Sequence, residues 1–143
     1  MSATPANTRV NIISCLRYRD APAAIDWLGR AFGFEKQAVY PDDNNGIAHA
    51  QLTFGNGMIM LASADSKDTE YSRLMKLPDD IGGAQTQTLY MVVADADAAY
   101  AMAREAGAKI IIDIKDEDYG GRGFTCRDLE NYVWSFGTYD PYA

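Results

Sequence analysis

The residues able to do chemistry are few. The chain holds one histidine, His49, and two cysteines, Cys15 and Cys126. His49 lies in the run Ala48–Phe54, where His49, Gln51 and Thr53 alternate with Ala50, Leu52 and Phe54. A period of two sends the polar trio to one face of a strand. There His49 can serve as a general base or hydrogen-bonding group beside Gln51. The competing role is a packed imidazole satisfied by a neighbour, since no carboxylate stands at a telling spacing. One histidine also rules out a two-histidine metal site within a subunit.

Arg122 is set in Tyr119-Gly-Gly-Arg-Gly-Phe124. Glycines let a backbone approach a ligand, and a guanidinium can clamp a carboxylate or phosphate; the alternative is a solvated hairpin arginine. Tyr90 alternates with Leu89 and Met91, which offers its phenol to a pocket. Arg17 falls on the same inferred side of the first strand, as a pocket group or a surface ion pair. Trp134 and Phe136 flank Ser135 and are expected beneath a helix, and Trp27 is expected as a core or dimer contact. The acidic groups Asp42-Asp43, Asp79-Asp80 and Asp116-Glu117-Asp118 sit among turn residues and read as solvated loops. No acid/base carboxylate pair emerges from spacing.

The elements that must position these groups form a repeat. Asn11–Tyr18 is strand-like, Asp20 can cap a helix, Pro22 suits its first turn, and Gly33 can stop it. Thr86–Val93, Asp95 and Gly107 repeat this punctuation. Ile25, Leu28, Ala31 and Phe32 keep helical spacing, as do Ala99, Met102, Ala103 and Ala106, so each helix should lay an apolar stripe on a sheet. Three strand-like runs follow each helix: Glu35–Tyr40, Ala48–Phe54 and Met58–Leu61, then Lys109–Ile114, Gly123–Arg127 and Tyr132–Gly137. The order is βαβββ twice. A polar linker over Ala62–Ala84, with a short helix at Tyr71–Leu77, joins the halves.

This arrangement resembles the vicinal-oxygen-chelate superfamily, which includes glyoxalases, bleomycin-resistance proteins and dioxygenases. The likeness runs from Val10 to Tyr139. It is carried by Leu16-Arg-Tyr-Arg-Asp-Ala-Pro-Ala-Ala-Ile-Asp-Trp27, Phe32-Gly-Phe34, His49-Ala-Gln-Leu52, Asp118–Phe124 and the closing strand Arg127–Phe136. The resemblance implies an α+β fold, two βαβββ modules forming a curved mixed sheet. Residues 1–143 would be a single domain, with modules at 10–61 and 85–139. Where the family usually has Asp-Pro-x-Gly, this chain has Asp128-Leu-Glu-Asn131; asparagine tolerates positive φ, so the turn should survive.

Metal-dependent members place His or Glu at four sheet positions, which the resemblance carries onto Ile13, Gln51, Thr88 and Ser135. Isoleucine has no donor, and an amide and two hydroxyls are weak ligands. No cofactor is therefore expected. His49, Tyr90 and Arg122 from the residue patterns, with Gln51, Thr88 and Ser135 from the resemblance, are the candidate ligand-binding residues, and the resemblance implies a homodimer.

Composition sets outer bounds. With 143 residues, 48% apolar and 23% charged, a core can form without disulfides. A net charge of −7 disfavours nucleic acid and anionic membranes as partners. No apolar run reaches the roughly 18 residues of a membrane span. Met1–Thr8 is polar and reads as a lead-in without a signal peptide. Two buried thiols in a reducing cytoplasm are expected. The functional expectation is metal-independent binding or sequestration of a small cationic or aromatic molecule. The rival is a glyoxalase-like lyase or isomerase, or a ring-cleaving dioxygenase; a purely structural module fits less well.

Overall fold

The computed structural model describes residues 4, 5 and 7–143, so the expected lead-in over Met1–Thr8 lies partly outside the described residues. The order is β1 (Ser14–Tyr18), α1 (Ala21–Phe32), β2 (Glu35–Pro41), β3 (Ile47–Phe54), β4 (Gly57–Ser63), β5 (Leu89–Val92), α2 (Ala96–Glu105), β6 (Lys109–Asp116), β7 (Arg122–Arg127) and β8 (Val133–Gly137). It is the expected βαβββ unit used twice. The strands form two four-stranded mixed sheets, ordered β1-β4-β3-β2 and β5-β8-β7-β6. In each, the first strand runs parallel to the fourth and the other pairs are antiparallel.

The punctuation works as its chemistry dictates. Asp20 Oδ1 accepts from the Ala23 amide at 3.1 Å, and Asp95 Oδ1 from the Ala98 amide at 3.0 Å, satisfying donors that a helix start leaves free. Gly33 and Gly107 take φ of 85° and 93°, the left-handed conformation that ends a helix. Asn131 takes φ of 71°, so the turn keeps its shape without glycine. The linker departs from expectation: 3₁₀ turns at Ser72–Leu74 and Pro78–Ile81 replace the helix at Tyr71–Leu77. Pro78 has no N–H to continue a helix and instead starts the second turn.

The chain divides into two compact units. Unit 1 comprises residues 1–26 and 33–75; unit 2 comprises residues 27–32 and 76–143. In unit 1, Leu16, Tyr18, Ala24, Ile25, Ala50, Leu52, Ile59 and Leu61 are buried. Cys15 is exposed, against the expectation of two buried thiols. The cause is strand alternation, because Leu16 and Tyr18 occupy the buried face and turn Cys15 and Arg17 to the other.

Unit 2 takes in the last turns of α1, so the helix stripe is used differently from expectation. Phe32 packs at a tilt against Trp134 and Phe136 of β8 with ring centroids 5.3 and 4.7 Å apart. Phe124 lies on Phe136 at 5.1 Å. The Trp27 indole donates to the Ala106 carbonyl at 2.7 Å, an acceptor left over where α2 ends. Helix α2 buries Ala96 and Ala103, while Met102, expected in its stripe, stays 38% exposed. With Trp134, Phe136, Phe124 and Cys126 on the buried face, the opposite face of this sheet carries the site.

Candidate functional site

A cavity of about 380 Å³ opens on the second face of the β5-β8-β7-β6 sheet. Its floor is built from residues two apart: Tyr90 from β5 with Thr88 just before it, Ser135 and Gly137 from β8, Gly123 and Thr125 from β7. The Thr125 and Ser135 hydroxyls share a hydrogen bond of 2.8 Å. Two of the lining glycines are required by close approaches. A Cβ on Gly123 would collide with the Phe136 carbonyl oxygen, and one on Gly137 would lie 2.6 Å from the Tyr90 phenol. The phenol crosses Gly137 and donates to the Tyr139 carbonyl at 2.7 Å. Burial, and then the neighbouring Tyr119, push the Tyr90 phenol above its ordinary value. It is therefore a neutral donor, not a base. Tyr119 meets Tyr139 edge-on at 5.4 Å, so three tyrosine rings stand at one end.

The far wall comes from β6. Its pairing with β7 slips between Ile112 and Lys115. A bulge re-aims side chains, and both residues line the cavity, followed by Glu117. Arg122 lines it too, with its charge already answered. Its Nε lies 3.2 Å from Asp97 Oδ2, and its Nη1 lies 3.2 Å from Asp116 Oδ1. Those partners, Asp116 first, hold the guanidinium above its ordinary value. The clamp expected from the glycine-rich loop is thus closed on the chain's own carboxylates.

Four of the six candidate residues, Thr88, Tyr90, Arg122 and Ser135, meet in this cavity. His49 and Gln51 belong to unit 1. There the His49 Nε2 and Gln51 Oε1 are 2.9 Å apart, the Gln51 amide donates to Gln37 Oε1 at 2.5 Å, and Tyr40 stacks on His49 at 6.1 Å. The imidazole is satisfied by neighbours. Sequence reasoning passed over Lys115 and read Glu117 as part of a solvated acidic loop, because a bulge leaves no trace in a pattern of period two. It also passed over Thr125, whose register opposite Ser135 is tertiary information.

The chain belongs to the glyoxalase/bleomycin resistance protein/dioxygenase superfamily. That family's model matches residues 9–136. Among solved structures, TioX from Micromonospora sp. ML1 is 29% identical with a TM-score of 0.69, covering 90% of this chain and 97% of TioX. The fosfomycin resistance protein FosX from Listeria monocytogenes gives a TM-score of 0.68 at 10% identity, covering 93% and 95%, a likeness of fold alone. An uncharacterized protein of Mycobacterium tuberculosis (strain H37Rv) is 29% identical over 118 residues, 82% of this chain and 68% of its own length.

The family's metal can be tested against the donors present. Ile13 and Thr88 each stand seven residues before their helix cap, Asp20 or Asp95, and so are counterparts. Ser135 pairs with Tyr90 on β5, and Met60 pairs with Cys15 at the matching place on β1. The counterpart of Ser135 in unit 1 is therefore Met60, and that of Gln51 is Thr125. Either assignment gives a weak set: isoleucine, a thioether or an engaged amide, and two hydroxyls, one bonded to Thr125. These side chains do not fit a divalent ion that the family holds by imidazole and carboxylate. Among the described residues, no three His, Cys, Asp or Glu gather into a cluster that would replace them.

Proposed function

We propose that this family member binds a small aromatic molecule in the cavity of unit 2, without using the family's metal. The observation that carries the reading is the cavity's lining. Three tyrosine rings face a neutral hydroxyl floor in a volume of about 380 Å³, within the roughly 300–1,000 Å³ typical of small-molecule sites. Aromatic walls offer area and stacking at low entropic cost. The Thr88, Thr125 and Ser135 hydroxyls can donate or accept, so they orient a ligand without acting on it. Arg122 works here as a strut, joining α2 to the β6–β7 hairpin through Asp97 and Asp116.

The homodimer and the cytoplasmic location belong to the same proposal. Family likeness supports the first. An exposed free thiol at Cys15, at home in a reducing compartment, supports the second. Among the described residues, no helix is long and apolar enough to cross a membrane. Sedimentation and cell fractionation check these two points.

The binding reading is tested by melting the protein with a panel of flat aromatic compounds, charged and neutral. A ligand at a hundred times its Kd adds about 2.7 kcal/mol, an easily read rise in Tm. Ser135→Leu, which fills the floor, should abolish the rise. A panel with no active member, or a rise that survives Ser135→Leu, overturns the reading.

A further inference from the structure

We propose that the cavity of unit 2 recognises a zwitterion, an aromatic ring that carries both a free ammonium and a free carboxylate, as an aromatic amino acid does. The proposal rests on reading that cavity as a small-molecule site.

Of the cavity's charged groups, one is already answered. Arg122 is engaged by Asp97 and Asp116. Lys115 and Glu117 are not. Both line the cavity. Among the described residues, neither side chain makes a hydrogen bond or ion pair, with each other or with any other group. The cavity lining thus presents one cation, near the end of β6, and one anion just past it. A ligand filling the hollow covers the half-buried Glu117 and lies against the exposed Lys115. A neutral or anionic ligand would leave Glu117 desolvated and unpaired, which is costly, and a cationic one would leave Lys115 unanswered. A zwitterion answers both, its carboxylate to Lys115 and its ammonium to Glu117. The ring then falls to Tyr90, Tyr119 and Tyr139, whose faces also favour a nearby ammonium.

Titration calorimetry at low salt decides this with four probes of one ring: L-tryptophan, tryptamine, indole-3-propionate and indole. Tryptophan should bind tightest, by about tenfold over either singly charged probe. Lys115→Met should weaken tryptophan and indole-3-propionate about five- to tenfold and spare tryptamine. Glu117→Gln should weaken tryptophan and tryptamine by a similar factor and spare indole-3-propionate. If indole or one singly charged probe binds as well as tryptophan, or if both variants bind tryptophan within about twofold of the parent, the zwitterion is overturned while the aromatic site stands. If none of the four probes binds the parent, the small-molecule reading of the cavity falls with it. A variant that fails to fold is replaced by Lys115→Gln or Glu117→Ala, and the probe series on the parent decides in any case.

Discussion

Gly123 and Gly137 line the same hollow, yet they should respond oppositely to a methyl group. At Gly123 the obstacle is the Phe136 carbonyl of a buried strand, which cannot move without opening the β7–β8 ladder. Gly123→Ala should cost about 1–3 kcal/mol, read as a fall in the denaturation midpoint. At Gly137 the obstacle is the Tyr90 ring, which is 43% exposed and can swing outward. Gly137→Ala should change stability by under about 1 kcal/mol but displace Tyr90 from the Tyr139 carbonyl and so weaken ligand binding. The two cysteines differ as sharply. Burial pushes the Cys126 thiol up from 9.0 to about 12, while Cys15 is exposed. At pH 8 a thiol reagent should titrate one cysteine in the native protein and two after unfolding. Because the folded thiol holds its proton more tightly than the unfolded one, its stabilisation is complete below pH 9.0 and lost as pH rises towards about 12. Chemical denaturation across that window should show the loss, and Cys126→Ser should flatten it.

Between residue and molecule, the β7–β8 turn is the element most dependent on one side chain. Asp128 is 6% exposed. Its Oδ1 accepts from the Glu130 and Tyr132 amides at 2.9 and 3.1 Å, and its Oδ2 from the Trp134 indole at 2.9 Å. The turn and the core tryptophan are thus tied to a single carboxylate. Asp128→Ala leaves three donors short of a partner and should cost about 2–4 kcal/mol. Helix α1 offers a second test. Phe32 is 2% exposed and touches Trp134 and Phe136, so Phe32→Ala should cost about 3–5 kcal/mol. Calorimetric melts of both variants check these values. The elements were legible because capping and stop residues act locally: Asp20, Asp95, Gly33, Gly107 and Asn131 each do what their chemistry allows wherever the chain goes next. The linker was less so, since Ser72–Leu74 and Pro78–Ile81 are single turns with little periodicity to read.

For the molecule as a whole, the family fold has been kept while imidazole and carboxylate are missing from the positions that the resemblance gives to the metal ligands. Incubation with nickel, zinc, iron or manganese, followed by gel filtration, should leave no stoichiometric metal and no shift in Tm. One equivalent retained, with turnover that depends on it, would place the protein with the lyases or dioxygenases of the superfamily. The net charge of −7 works at the same scale. It repels polyanions, and it says little about the cavity, where Lys115 and Glu117 stand together.

What the sequence determined by itself was everything local or periodic. The doubled βαβββ order and the buried alternation of Trp134 and Phe136 are properties of neighbours along the chain, and the single histidine is a property of composition. The tertiary structure decided which of the polar groups meet. It put Thr88, Tyr90 and Ser135 in one cavity, closed Arg122 on Asp97 and Asp116, and spent His49 on Gln51. It also brought Lys115 and Glu117 into view through a bulge. Strand register and bulges are set by pairing between distant segments, and no single run of residues encodes them.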